Sequence, residues 1–599
     1  MYFRTKTIKN TPLVQLIESH RNAQGQPRQR VIVSLGDAQL PAGEEKMIAR
    51  MVECRLRGEA DLFEAELSEE GAAWVTRIVQ LAERSKATRP ITQSPVLDGV
   101  LVDQVETENV VGFGAELVAL EAWNELGLTD VLEGLNMPRK QIATAQLMVA
   151  NRLIEPLSEW ALIDWSERTA LPELLDLRIT KTTKDRLYRT SDKLLEHRET
   201  IEKKLRDTEQ TLFSSRRKLV LYDVTNTHFE GLCEANPKAM HGKNKQKRND
   251  CRQVAVGMAF DEQGNALAHE VFSGNMADTS TLKHILARLD QLDVGEKPVV
   301  VLDAGFASAS NIALLKKLGY AYLINITRGS RTKYSDAFAE TNFSPIPGRP
   351  ANQQVEVKTI VDPEDPEQQL ILCRSDQRRL KEVAMISNAE ARFLADATAL
   401  HERIEKGRLK KPHLIEQKIG RLQKKHPRVN RFYTLERHDT GLHIQRNDEK
   451  MEEALSLCGS YVLKTDQSVD AITLWELYMS LLKAESGFRM LKSALGLRPN
   501  HHQLENRVDG HIFISILAYH LLNWIRQKLE QTNDHREWNT IRRILRTHSL
   551  VSTRFPLKDG RIVTIRKASN PDAEQARIYT ALGIDWKTAY IPNRSEITM

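Results

Sequence analysis

Lys218, Leu219, Val220, Leu221, Tyr222, Asp223, Val224, Thr225 is an apolar run that closes on a carboxylate. With no polar alternation, such a run predicts a strand buried on both faces of a sheet. The design recurs at Val299, Val300, Val301, Leu302, Asp303, Ala304, Gly305. Two buried strands that each end on an Asp bring two acids to the edge where open α/β sheets bind ligands. Strand-end Asp residues are also turn formers and caps, so the pair alone reads either as a metal site or as local turn chemistry. The third acid, Glu485, lies in 474–495, a stretch without Pro that predicts one long helix. Tyr478, Leu481, Leu482, Glu485, Phe488, Arg489 and Lys492 share one helical face, which is expected to turn toward the protein. A carboxylate there is costly unless it is paired or holds a metal. The plain alternative is an ion pair with Arg489 one turn on.

The remaining composition narrows the class. A chain of 599 residues has room for roughly three to five domains. Its 41% hydrophobic and 28% charged content is that of a soluble globular protein. With no cleavable leader and no 18-residue apolar run, a cytoplasmic location is expected. Five scattered cysteines with neither a CxxC pair nor an HExxH helix argue against a disulfide frame or a structural zinc. A net charge of +6 permits a nucleic-acid partner without requiring one.

Taken in order, residues 1–95 predict a basic hairpin turning at 22–27, then a helical stretch near 42–67 and a linker at 89–95. Residues 110–215 have helical periodicity broken at 136–138, 155–156 and 171–172, as in a helical domain. The segment 216–328 carries the Asp223 strand, a basic loop with Lys243, Lys245, Lys247 and Arg248, and a hairpin of 253–260 and 266–272. A helix, the Asp303 strand, a second helix and a strand at 320–326 follow. Three strands, helix, strand, helix, strand, with an acid-bearing helix later, is the arrangement of a ribonuclease H-like fold.

The acids are 80 and then 182 positions apart, counting 303 minus 223 and 485 minus 303. The second interval is too long for the core alone, and a mixed β/α insertion domain over 329–466 accounts for it. Its helical part is strongly basic, with Lys410, Lys411, Lys424 and Lys425 among its cations, which favours phosphate contact over an ordinary solvated surface. Residues 467–530 then return to the core, and 531–599 form a C-terminal region. The fold class is therefore α/β, with an N-terminal hairpin module and helical domain ahead of an interrupted catalytic core.

At this point the residues resemble a known family, the DDE transposases of bacterial insertion sequences. Tyr478, Glu485 and Lys492 fall at the spacing of the Tyr, Arg, Glu, Lys signature of its cut-and-paste group, with Leu481 at the Arg position. Tyr222, Asp223, Val224, Thr225 resemble its first-acid segment, and Asp303, Ala304, Gly305, Phe306 its second. The stretch from Gly274 to Thr281 resembles a further recurring element. The resemblance implies that Asp223, Asp303 and Glu485 are catalytic and hold two Mg²⁺ ions, with Mn²⁺ able to substitute. It also implies double-stranded DNA as partner, both transposon ends and target, and a homodimer in the synaptic complex. Tyr478, Arg489, Lys492, Lys243, Lys245, Arg248 and the insertion lysines are the expected DNA contacts. Two other classes stay open: a metal nuclease without strand transfer, and a DNA-binding regulator that has lost the chemistry. If the second strand is cut through a DNA hairpin, a base must rest on an aromatic ring, and Phe432, Tyr433 and Tyr461 are the expected platforms in the insertion.

Overall fold

The computed structural model describes residues 1–8, 11–21, 27–57, 67–84, 96–97, 99–177, 183–213, 218–242, 248, 250–290, 297–438 and 441–598. The chain divides into two compact units, one of residues 1–110, 551–567 and 592–599, the other of 111–550 and 568–591.

In the first unit, β1 (Tyr2–Ile8), β2 (Thr11–Arg21) and β3 (Pro27–Ser34) form an antiparallel meander. The expected turn between β2 and β3 lies outside the described residues, as does the linker. Helices α1 (Glu45–Arg57) and α2 (Glu69–Arg84) seal the meander with Ile48, Val52, Val75 and Ile78 against Leu16, Ile32 and Val33. The short strands β4 (Val96–Leu97) and β5 (Val100–Leu101) follow, then β6 (Glu106–Gly112), which edges a four-stranded sheet completed by three strands near the C-terminus.

The second unit begins with seven helices: α3 (Gly114–Glu125), α4 (Leu128–Gly134), α5 (Arg139–Ile154), α6 (Glu159–Ser166), α7 (Leu171–Leu174), α8 (Lys184–Glu196) and α9 (Arg198–Phe213). The breaks fall where the prolines stand. Pro138 caps α5, Pro156 separates α5 from α6, and Pro172 opens α7, places where a missing N–H costs no helical bond.

The sheet is built from β7 (Leu219–His228), β8 (Gln253–Phe260), β9 (Ala266–Ser273), β10 (Val299–Leu302) and β11 (Tyr322–Asn325). Helices α10 (Asp278–Asp290) and α11 (Ala309–Leu318) connect its later strands. β10 runs parallel to both of its neighbours, β7 and β11. Alternate residues of these strands enter two different cores. Leu219, Leu221, Val301 and Leu323 join the large helical core, whereas Val220, Tyr222, Val300, Leu302, Tyr322 and Ile324 pack against Leu282, Ile285 and Leu315 of α10 and α11. An unbroken apolar run is the sequence consequence of having an apolar neighbour on each side.

After α12 (Ser335–Ala339), strands β12 (Ser344–Pro345), β13 (Val355–Asp362) and β14 (Asp365–Ser375) extend this same sheet. The join is β17 (Ser460–Thr465), antiparallel to β14 on one side and to β11 on the other, which gives the nine-strand order β12-β13-β14-β17-β11-β10-β7-β8-β9. Between β14 and β17 lie the 30-residue α13 (Asp376–Glu405), α14 (Pro412–Lys425), α15 (Pro427–Asn430), the hairpin β15 (Tyr433–His438) and β16 (Gly441–Arg446), and α16 (Asp448–Ser456). They close over their own core of Phe393, Leu400, Ile415, Ile419, Phe432 and Met451.

The stretch expected as one helix is two: α17 (Ala471–Met479) and α18 (Leu481–Ser493). At the junction the Ser480 hydroxyl donates back to the Glu476 carbonyl (3.4 Å), a bond that competes with the helical ladder and bends the chain. Behind α18 runs α19 (Glu505–Gln531), buried nearly all round, followed by α20 (Trp538–Leu545), β18 (Ser549–Pro556), β19 (Arg561–Ala568), α21 (Ala573–Leu582) and β20 (Asn593–Thr598). Among the described residues no helix is long and apolar enough to cross a membrane.

Candidate active site

The last register pairs of the parallel strands are Leu302 with Tyr222 and Leu302 with Ile324. One step beyond stand Asp303, Asp223 and Asn325, three polar residues in a row across adjacent strands, spaced about 4.8 Å in the hydrogen-bonding direction. Leu302, Tyr222 and Ile324 face α10 and α11. By alternation the next residue of each strand faces the opposite way, toward the core that α17 and α18 enter with Leu474, Trp475, Leu481, Ala484, Phe488 and Leu491. Helix α18 packs on β7 itself.

The link between strands and helices is Tyr478. Its phenol oxygen accepts a hydrogen bond from the Asn325 amide nitrogen at 3.0 Å. Burial, then the nearby charge of Asp303, and further the charge of Glu485, push its pKa up to about 12, so it stays protonated at neutral pH. One side chain thus feels both acids. Asp303 also accepts from the Ala304 backbone N–H (2.6 Å) and caps a short 3-10 turn, the turn chemistry expected of a strand-end Asp. Asp223 accepts from the Val224 N–H at 2.8 Å.

Glu485 corrects an expectation. The face of α18 turned to the protein is Leu481, Ala484, Gly487, Phe488 and Leu491, while Glu485 is exposed and Leu482 is 53% exposed. The small residues set this phase. A Cβ on Gly487 would stand 2.8 Å from the Tyr519 hydroxyl and 3.0 Å from the Phe260 ring, so the closest helix contact is made where no large side chain marks it. The shift puts Glu485 within reach of solvent ions. Among the described residues no ion pair joins it to Arg489, which instead leans to Ser486 (3.4 Å) and Glu537 (3.9 Å). Leu481, at the signature's Arg position, is buried. A cation sequence reasoning missed, Arg378 of α13, acts electrostatically on Tyr478 and lies 4.9 Å over the Tyr461 ring. Only its place on a helix start 107 positions ahead of Glu485, 485 minus 378, was legible, and nothing there marks it as a site residue.

Lys492 is half-buried, with its ammonium 5.5 Å from the Phe488 ring centre. Lys243 and Lys245 lie outside the described residues, and Arg248 is held by Asp250 at 3.0 Å. Lys410, Lys411 and Lys424 are exposed around α14, and Lys425 pairs with Asp396 at 2.6 Å. The three rings expected as base platforms are occupied otherwise. Phe432 is buried in the core beneath α13, Tyr433 packs on Phe393 and donates to Glu390 (2.6 Å), and Tyr461 accepts from the Trp475 indole (2.7 Å).

The donor set of the three acids is hard carboxylate oxygen at an accessible sheet edge, which suits divalent ions such as Mg²⁺. Their oxygens do not form a single-ion cluster within 4.8 Å; the one group that does, among the described residues, is Glu159, His502 and His511. There the Glu159 carboxylate lies 3.1 Å from His502 and 3.9 Å from His511. A cation is already in place, because the Arg152 guanidinium donates to His511 Nδ1 at 2.9 Å and sits 3.7 Å from Glu159. A second, divalent charge beside it in a buried site would be strongly repelled. We read this group as an ion-paired knot that ties the loop after α18 to α5 and α6.

Two acids on neighbouring parallel strands and a third on a later helix against them define a ribonuclease H-like enzyme of metal-dependent phosphoryl transfer. A family model, the transposase DDE domain, matches residues 214–521, just over half of the chain. The chain belongs to the DDE transposases, which carry out phosphoryl transfer on DNA with divalent metal ions. Among solved structures it is similar to a piggyBac transposase synaptic complex with hairpin DNA, at 9% identity and a TM-score of 0.34 over 68% of this chain and 70% of that one. It is also similar to a Mos1 transposase paired-end complex with the left transposon end, at 10% identity and a TM-score of 0.14 over 47% of this chain and 78% of the other. No curated protein matches at a significant level.

Proposed function

We propose that this protein is the transposase of a bacterial insertion sequence, binding the element's ends as a homodimer, cleaving them and joining them to target DNA. The observation that carries the reading is the in-register placement of Asp223 and Asp303 on the sheet face covered by the Glu485 helix. In this reading Asp223, Asp303 and Glu485 hold two Mg²⁺ ions. Bound divalent ions supply charge stabilisation at the attacking and leaving oxygens of an in-line displacement. The chain's own groups position the DNA. Tyr478, kept protonated, offers a hydrogen-bond donor beside the acids, while Lys492 supplies positive charge for phosphates and Arg378, already paired with Glu382 at 3.2 Å, adds less. The exposed lysines around α14 extend that contact along the duplex. In this domain reading 1–95 and 110–215 precede the core, 329–466 interrupts it while adding β12, β13, β14 and β17 to its sheet, and 467–530 completes it.

The test uses duplexes taken from the DNA flanking the gene, with a supercoiled plasmid as target and Mg²⁺ present. Cleavage at the end, followed by joined product on the plasmid, is expected. Cleavage with no joined product under any condition would replace this reading with that of a nuclease.

A further inference from the structure

Asn325 stands at the carboxyl end of β11, level with Asp303, as Asp303 stands level with Asp223. It was part of the strand read at 320–326, yet as a neutral residue it carried no signal of chemistry. Its position is nonetheless the third of the row, on the face that α17 and α18 cover. The amide nitrogen is committed to the Tyr478 phenol oxygen at 3.0 Å. The amide oxygen is shielded from solvent and has no hydrogen-bond partner. A buried carbonyl left unpaired costs free energy comparable to a lost hydrogen bond, so this amide is held where it is by something other than its own satisfaction.

We propose that Asn325 is a positioning residue, whose amide pins the Tyr478 phenol so that its O–H is delivered to a DNA phosphate oxygen at the Asp303 and Glu485 edge. The inference rests on the reading of those acids as the reacting site. Three facts support it. The donated bond leaves the phenol proton unspent, because the phenol oxygen is the acceptor. The phenol is partly buried, and a tyrosine hydroxyl keeps its proton across the neutral range without help from the neighbouring carboxylates. Tyr478 is the penultimate residue of α17, next to the break at Ser480, and its ring packs against the large helical core with the Tyr461 ring centre 6.3 Å away. A phenol so placed and not pinned would turn to the nearest carboxylate, since hydrogen bonds to charged oxygens are about twice as strong as neutral ones. It would then occupy an oxygen needed for metal binding.

The test is a double-mutant cycle on first-strand nicking of an end duplex in Mg²⁺, with Asn325→Leu, Tyr478→Phe and the pair. Each single change is expected to slow nicking by about tenfold or more, the range seen for partners that orient a site. The double variant should be no slower than the slower single, because both remove the same interaction. The unfolding midpoint of every variant should stay near that of the wild type. Asn325→Asp, which keeps the shape and removes the donor, should be slow as well. Losses that multiply in the double variant, or an Asn325→Leu enzyme that nicks at the wild-type rate, would overturn the inference. So would a loss of nicking matched by loss of folding in both Asn325 variants. Asp303→Ala separates the two levels of argument: if it still nicks, the active-site reading falls; if it is inactive while Asn325→Leu is normal, only the role of Asn325 falls.

Discussion

Asp223 and Asp303 are brought together by alternation and register, two rules that need no other part of the chain to be correct. Asp303 was legible because a strand buried on both sides leaves the polar residue at its end conspicuous; Asp223 marks only where the apolar run stops, since β7 continues past it to His228, paired with β8. Changing Asp223, Asp303 or Glu485 to Ala is expected to lower strand cleavage by more than about a hundredfold while end binding persists, measured by gel assay and by retention on labelled ends. Glu485 was found through its spacing to Tyr478 and Lys492, but the reason first given for it, a place on the buried face, was wrong. The knot around Glu159 was not legible, since its members come from two stretches far apart in the chain, 152–159 and 502–511. It makes a prediction in pH. Burial and then Arg152 push His511 from 6.5 down to about 4, so the folded protein refuses a proton that the unfolded chain takes up. Stability contributed by this neutral His is complete above pH 6.5 and is lost as pH falls toward 4, with a slope of up to about 1.4 kcal/mol per pH unit. Glu159, held well below the usual carboxylate range by its two His partners against its burial, acts in the same direction below its ordinary value of 4.5. Urea midpoints measured from pH 7 to 4.5 should fall, and His511→Gln should flatten the upper part of that fall.

At the scale of elements, α18 turns on its small residues. Gly487→Val places atoms where the Tyr519 hydroxyl and the Phe260 ring already stand. A loss of about 1 to 3 kcal/mol is expected, together with slower cleavage as Glu485 is pushed off the sheet. Denaturant unfolding and nicking rates check the two halves. Hydrophobic periodicity could not fix this helix because Ala484 and Gly487 carry no weight in such a count, although they are its contact points. The basic α14 hairpin is a surface matter. Changing Lys410, Lys411, Lys424 and Lys425 to Glu should weaken end binding and reduce the salt slope by about one unit per lost phosphate contact. Lys425 should contribute least, because Asp396 already neutralises it. The strands β13 and β14 were visible as alternation, but their pairing partner was not, since β17 begins 85 positions after β14 ends, 460 minus 375.

For the whole molecule, the proposed metal-holding carboxylates, of which Asp303 and Glu485 are exposed and Asp223 is half-buried, and the internally paired knot divide metal dependence from stability. Removing divalent ions with a chelator should abolish cleavage and leave the thermal midpoint unchanged, since no buried charge is uncovered when the ions leave. A drop of several degrees would mean that a metal, and not Arg152, holds the knot together. The order of synthesis has a consequence of its own. Asp223, Asp303 and the strands that carry them leave the ribosome well before Glu485, and β11 completes its pairing only when β17 arrives, Leu323 waiting for Thr465. The 182 positions between the second and third acids, 485 minus 303, take roughly 10 to 40 s to translate at ordinary speeds. If Asp223, Asp303 and Glu485 act together as proposed, the nascent polypeptide holds only two of its acids through that interval. Truncated products that stop before α18 are then expected to leave DNA uncut.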